Sequence, residues 1–193
     1  MSGLCEQKAT RKGALTRRRF IKLCSLASLG TLWPGAAFPA FRDLQAPVRS
    51  LALHNTHTDE SLQVTYWAHG RYSPNALAKI NHIMRDHRTG DIKAIDTRLL
   101  DLVFSIVQNL KFPHPIHIIS GYRCPRTNAM LHRRGAGTAK NSLHQYGKAV
   151  DVHLPCVGLS VLYRVARDLK GGGVGYYPRS NFVHVDVGPV RYW

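Results

Sequence analysis

The sequence has 193 residues, 44% of them hydrophobic and 20% charged, with 27 Lys and Arg against 11 Asp and Glu for a formal charge of +16. That balance excludes wholesale disorder and a polytopic membrane protein, and the length suits one domain with an appendage. The first 37 residues carry seven of the cations and only Glu6 as an anion, so +10 remains on residues 38–193. A chain that basic points to an anionic partner: nucleic acid, a membrane surface or a cell-wall polymer.

At the N-terminus, Thr16-Arg17-Arg18-Arg19-Phe20-Ile21-Lys22 precedes an uncharged apolar run from Leu23 to Trp33. Eleven residues are too few to cross about 30 Å of hydrocarbon as a helix, and Gly35-Ala36-Ala37 offers the small residues a signal peptidase requires. The pattern is that of a secretory signal over residues 1–37. Its paired arginines resemble the twin-arginine export signal, which implies that export machinery as a partner, cleavage near Ala37 and a periplasmic location. No stable transmembrane anchor is expected. A basic nucleic-acid-binding arm and an uncleaved signal anchor are the alternatives. Export would remove Cys5 and Cys24 and leave Cys124 and Cys156, either as a disulfide or as two buried thiols.

Residues 38–48 read as a tether, and 49–193 as the folded domain. Leu51–Asn55 and Leu62–Trp67 flank the polar stretch 56–60 and suggest a β-hairpin. Ser73-Pro74 caps a helix through Ala76, Leu77, Ile80, Ile83 and Met84, and Asp96 begins another that buries Leu99, Leu100, Leu102, Val103, Ile106 and Val107. Ile116–Ser120 is a β-branched buried strand. A short helix from Pro125 to Arg134 and a mobile loop over Gly135–Asn141 follow. After a strand at Ala149–Leu154 and a helix at Leu159–Leu169 comes a final hairpin that ends in Phe182-Val-His-Val-Asp186. Without regular βαβ alternation, the expected class is α+β, a central antiparallel sheet with flanking helices.

All eleven histidines follow residue 53. In Ser142-Leu-His144-Gln-Tyr-Gly147-Lys-Ala-Val-Asp151, Gly147 can turn the chain so that His144 and Asp151 meet at one point. On the last strand, alternation puts His184 and Asp186 on one face. Two imidazoles and a carboxylate around an open position form a ligand set for catalytic zinc, and imidazole selects a transition metal over Ca²⁺ or Mg²⁺. Spacing alone is weak support for such a site.

Ser120-Gly-Tyr-Arg123, Ser142-x-His144-x-x-Gly147-x-Ala149-x-Asp151 and Val183-His184-Val-Asp186 resemble the zinc peptidases of the D-Ala-D-Ala carboxypeptidase and lysostaphin-type fold, most closely the murein endopeptidase K family. The similarity includes Leu53-His-Asn-Thr-His-Thr, Arg85-Asp-His-Arg-Thr-Gly and the ending Gly188-Pro-Val-Arg191-Tyr-Trp193, and so spans nearly the whole mature chain. It implies one Zn²⁺ per chain on His144, Asp151 and His184, Arg123 facing the substrate to stabilise an oxyanion, and Ser142 as a substrate contact. It also implies peptidoglycan stems and cross-links as the substrate. Beside the motif, Arg133, Arg134, Lys140 and Lys148 make a basic rim that serves either solubility or attraction to the carboxylates of the stems. Relatives take the water's proton with a Glu or His just before the last ligand, where this chain has Asn181 and Phe182. Asp186 is then the nearest base by sequence, or else a residue that orients His184. The missing base leaves an alternative, a metal-containing peptidoglycan-binding module without turnover.

His153 is a rival ligand by spacing but is expected to be structural, and His54 and His57 are expected to be turn residues rather than a secondary metal site. No nucleic-acid-binding module or stacking platform is recognisable, so no nucleic-acid partner is expected. Cys124 and Cys156, unusual at their places in the resemblance, are expected to pair, closing a loop worth about 3–4 kcal/mol.

The export reading predicts that Arg17→Lys with Arg18→Lys strands the full-length precursor in the cytoplasm, as measured by cell fractionation. Normal export of that variant would leave only a general secretory signal.

Overall fold

Pairing follows the expected hairpin first. In the computed structural model, which describes residues 42–135 and 138–193, β1 (Val48–Asn55) runs antiparallel to β2 (Glu60–Ala68). Arg49, Leu51, Leu53 and Asn55 are buried, as the period-2 pattern of a half-covered strand requires. The Asn55 side chain accepts from the backbone N–H groups of His57 and Thr58, shaping the turn, and donates to the Ile83 carbonyl. The expected signal lies outside the described residues, as do Ala136 and Gly137 of the expected loop.

A short β3 (Arg71–Tyr72) follows, then α1 (Pro74–Ile83) and α2 (Thr97–Asn109). Both helices begin at the caps legible in the sequence. Ser73 Oγ accepts from the Ala76 N–H and the Asp96 carboxylate from the Arg98 N–H, satisfying donors that a helix start leaves orphaned. The remaining elements are β4 (Ile116–Ser120), α3 (Pro125–Arg133), β5 (Ala149–His153), α4 (Leu159–Asp168), β6 (Gly173–Tyr177), β7 (Phe182–Asp186) and β8 (Arg191–Tyr192). Each expected helix and strand is present within three residues at its ends.

The eight strands form one sheet in the order β3-β2-β1-β4-β5-β7-β6-β8. The class is α+β, but the expectation of an antiparallel sheet is corrected: the sheet is mixed, with β1 parallel to β4 and β6 parallel to β8. Parallel neighbours need a long crossover, and the stretch holding α1 and α2 supplies it between β1 and β4. Residues 42–45 form a 3-10 turn, Leu44 and Ala46 pack against the core, and the Leu44 carbonyl accepts from Arg49.

The core joins Leu51, Leu53, Ile116 and Ile118 to Leu99, Leu102 and Ile106 of α2 and Leu162 and Ala166 of α4. Val150 and Val152 of β5 and Val183 and Val185 of β7 belong to it too, so alternation turns Asp151, His184 and Asp186 to the opposite face.

One polar knot anchors α2 to the early strands. Asp101 accepts from Arg49 (2.7 Å), Tyr66 (2.9 Å) and Tyr72 (2.7 Å), and the Arg49 guanidinium lies 4.4 Å over the Trp67 ring. Both members of the ion pair are nearly buried, with side chains 8% and 11% exposed. Asp101→Ala strands the Arg49 charge together with two phenols. It is expected to cost about 3–5 kcal/mol in urea unfolding, the scale for breaking one side of a buried pair.

Candidate metal centre

The turn before β5 brings the first two candidate ligands, His144 and Asp151, together. Ser142 Oγ accepts from the His144 N–H and opens a 3-10 turn, Leu143–Tyr146, which Gly147 ends at φ +64°. A side chain on Gly147 would run into the Ala94 carbonyl, and the Gly147 carbonyl accepts from the Asp96 N–H at 2.9 Å. The reversal returns β5 beside the turn. On the sheet, Asp151 of β5 stands directly opposite His184 of β7.

Three atoms converge. His144 Nε2 lies 3.2 Å from Asp151 Oδ1 and 3.2 Å from His184 Nδ1, and the latter two are 2.8 Å apart. All three residues are buried. The outer ring nitrogens define what faces inward. His144 Nδ1 donates to the Gly121 carbonyl at 2.7 Å, and His184 Nε2 donates to Asp186 Oδ2 at 3.0 Å. Carbonyl and carboxylate oxygens only accept, so the ring protons sit on those outer nitrogens. A neutral ring then turns a lone pair inward, and the proton the inner positions can hold is the one His184 gains when it charges, shared with Asp151. Such an arrangement calls for a cation. Donors held about 2.0–2.1 Å from a tetrahedral zinc ion stand about 3.3 Å apart, so the set fits a transition-metal ion.

The ionisation pattern agrees. Burial raises the Asp151 carboxyl, but the two imidazoles outweigh it and hold the group far below the usual carboxylate range. Burial lowers His144. Burial also lowers His184, yet its hydrogen bonds with Asp151 and Asp186 prevail and raise it. In ionic terms the pocket attracts positive charge, which a metal ion supplies with release of any ring proton.

Asp186 shares the face of His184, as alternation requires, and sits behind that ring. Its Oδ1 accepts from the N–H groups of Gly173 (3.1 Å) and Gly188 (2.8 Å) and from Arg191 Nη1 (3.1 Å). Its Oδ2 accepts from His184 and from Arg191 Nη2 (2.6 Å). Burial raises this carboxyl, but the His184, Gly188, Arg191 and Gly173 hydrogen bonds win and pull it down to about 2. It is therefore anionic at any growth pH. The residue is fully buried, and none of its lone pairs is left for the pocket.

The open side of the triad is walled by Arg123, Ser142, Asp151, Tyr177, His184 and Trp193. Arg123 Nη2 lies 3.4 Å from Ser142 Oγ, and its buried Nε has no hydrogen-bond partner. Burial pushes the guanidinium down, but arginine stays charged. The residue thus holds a cation beside the ligands with no ion-paired carboxylate among the described residues. Trp193 and Arg191 were not singled out by sequence reasoning, although both lie in the ending that carries the resemblance. The Trp193 ring lies 5.4 Å from the His184 ring and donates through Nε1 to the Tyr177 hydroxyl at 2.8 Å. Arg191 lies 5.1 Å from the Trp193 ring. Gly175 leaves room for the indole, which a side chain there would meet at 2.6 Å.

Other expectations separate. Neither Asn181 nor Phe182 offers a base; Phe182 stacks on Tyr177. His153 lies outside the triad, and His57 stacks on His87 at 3.8 Å. Arg133, Arg134 and Lys140 are exposed and Lys148 is half-buried. The expected disulfide is corrected. Both cysteines are free: Cys124 is buried, its sulfur accepting from the Thr127 N–H as the cap of α3, whereas Cys156 is exposed in the turn after β5.

Over residues 44–193 the chain matches the protein family described as Peptidoglycan L,D-endopeptidase MepK. It is 44% identical over 172 residues to the peptidoglycan L,D-endopeptidase MepK of Escherichia coli strain K12, covering 87% of this chain and 94% of the relative. The same values hold for the protein of that name in Shigella flexneri. The probable peptidoglycan L,D-endopeptidase MepK of Haemophilus influenzae is 42% identical over 146 residues, 75% of this chain and 78% of the relative.

Because Arg191 clamps the carboxylate that fixes the His184 ring, Arg191→Gln is expected to weaken Zn²⁺ binding about 10–100-fold, the usual cost of losing a partner behind a ligand. Competition with a chromophoric chelator measures it. An unchanged affinity would show that the remaining donors suffice to hold Asp186.

Proposed function

Because the chain belongs to the peptidoglycan L,D-endopeptidase MepK family, we propose that the pocket over His144, Asp151 and His184 is the active site of an exported, zinc-dependent enzyme that hydrolyses peptide cross-links of peptidoglycan. The chain is a peptidoglycan hydrolase with murein endopeptidase function. The finer reading is cleavage of a bond between an L- and a D-configured residue, with one zinc per chain. The observation that carries the site is the convergence of His144, Asp151 and His184 beside an arginine without an ion pair.

His144 Nε2, Asp151 Oδ1 and His184 Nδ1 would hold the metal, and the chemistry such an ion supplies is an activated water and a polarised scissile carbonyl. The chain's own groups do the rest. Arg123 contributes a permanent positive charge where negative charge develops on the carbonyl oxygen, an interaction worth more in a partly desolvated pocket than in water. Ser142 holds the turn that carries His144 and can offer its hydroxyl to the substrate backbone. Tyr177 and Trp193 form a rigid wall that restricts the peptide and excludes water. Asp186 is a positioning residue in this reading rather than the proton acceptor considered from the sequence, because all its neighbours are donors and it has no exposed surface. Its charge keeps the His184 proton on Nε2 and so keeps Nδ1 bare. The basic rim of Arg133, Arg134, Lys140 and Lys148 would raise the local concentration of acidic stems.

Arg17 and Arg18 support delivery to the periplasm by the twin-arginine route, the compartment in which the substrate lies.

The test is digestion of purified sacculi by metal-loaded protein, with product chromatography. Uncross-linked muropeptides are expected, and a chelator should abolish them. His144→Ala and His184→Ala should lose metal and activity together. Arg123→Ala should keep the metal and lose about 10²–10³ in rate, the scale for one oxyanion donor. Loaded protein that binds sacculi and releases no peptide product would overturn the hydrolase reading in favour of a wall-binding module.

A further inference from the structure

A second group of imidazoles stands outside the pocket. Strand register places His54 of β1 opposite His117 of β4, and His117 opposite His153 of β5. Alternation puts His153 on the face of Asp151, two residues earlier in β5, so this row and the pocket share one side of the sheet. The His54 and His117 ring centroids are 5.0 Å apart with planes inclined by 52°, and those of His117 and His153 are 6.0 Å apart at 55°. The two imidazoles of the triad, His144 and His184, are 5.0 Å apart at 57°. The first step of the row therefore repeats the spacing and inclination of the triad pair. Two imidazole nitrogens about 2.0–2.1 Å from one tetrahedral ion hold their ring centroids about 5 Å apart.

The core does not require these rings. Leu53, Ile116, Ile118 and Val152 fill it from the same strands on the other face, while the three histidines are half-buried. Their polar atoms are only partly used. His153 Nδ1 is shielded from solvent and has no hydrogen-bond partner, a condition that costs about 1–3 kcal/mol. His54 Nδ1 is held by Ser61 Oγ at 3.0 Å, and its Nε2 lies 3.7 Å from the exposed Asp59 carboxylate, a solvent-screened contact that a metal ion would replace. Burial, and then the flanking His54 and His153, push His117 down, so its ring is neutral and carries a lone pair at neutral pH.

We propose that His54, His117 and His153 form a second binding site, for a divalent transition-metal ion, that ties β1, β4 and β5 together across the sheet. Imidazole ligands favour Zn²⁺, Cu²⁺ or Ni²⁺ and discriminate against Ca²⁺ and Mg²⁺. Among the described residues only the triad has its ligand atoms already converged, so closing this second site requires rotation of His117 and His153 about their Cβ–Cγ bonds, a broad torsion. Because the ion binds the folded chain through three strands, it raises the melting temperature by mass action.

Zn²⁺ titration of the mature protein, followed by calorimetry, reads the stoichiometry. Two ions per chain are expected for the wild type, one for His117→Gln, one for His144→Ala and none for the double variant. His117→Gln should retain cross-link hydrolysis. Zn²⁺ should raise the melting temperature of His144→Ala but not of the double variant. His54→Gln repeats the test should His117→Gln fail to fold. The proposal is overturned if the wild type binds one ion that only His144→Ala removes, or if His117→Gln and His54→Gln both still bind two. Loss of an ion in His117→Gln with none lost in His144→Ala would uphold this site and refute the metal assignment in the pocket, so the two readings fail separately.

Discussion

The antiparallel register of β5 on β7 is the constraint on which the site depends. Asp151 faces His184 because the two strands pair in that frame, and a slip of one residue would turn one ligand into the core and a valine into the pocket. The frame is enforced from the other side of the sheet. Val150, Val152, Val183 and Val185 are each buried to 2% exposure or less, so any slip would exchange apolar burial for buried charge. Packing of the core and placement of the ligands are therefore one event.

Burying an acceptor-rich triad is costly, and the surrounding structure is arranged to offset that cost. Gly121 takes one ring proton and Asp186 the other, which leaves the inner atoms bare. Asp186 is itself a buried anion, made tolerable by two backbone N–H groups and the paired hydrogen bonds from Arg191. The chain of contacts runs from β8 to the ligand: Arg191 holds Asp186, Asp186 holds His184, and Trp193 lies against the same ring. A short edge strand thereby acts on the candidate metal centre without touching the converging atoms of the triad.

The remainder of the fold keeps that arrangement rigid. The crossover holding α1 and α2 makes β1 and β4 parallel neighbours, and it is the reason that His54 and His117 stand side by side although 63 residues separate them in the chain. The Asp101 knot pins α2 to β1, β2 and β3 at the far edge of the sheet. Helix, strand and triad thus share one framework.

Much of this was legible in the residues. Caps at Ser73 and Asp96, period-2 burial in β1 and the turn at Gly147 are local properties, set by a few neighbours, so they read directly from the chain. His144, Asp151 and His184 were legible as a candidate set through their resemblance to a family, whereas spacing alone left them weak. The parallel pairings, the free cysteines and the setting of Asp186 were not legible. Each depends on contacts between distant segments: which strand lies beside which, where the Cys124 sulfur points, and which donors gather on one carboxylate. The sequence by itself determined the elements, their caps and the ligand types, because these follow from local sterics and periodicity. Only the tertiary structure decided that Asp186 lies behind His184 under Arg191, because that needs β6, β7 and β8 brought to one place, which no local pattern encodes.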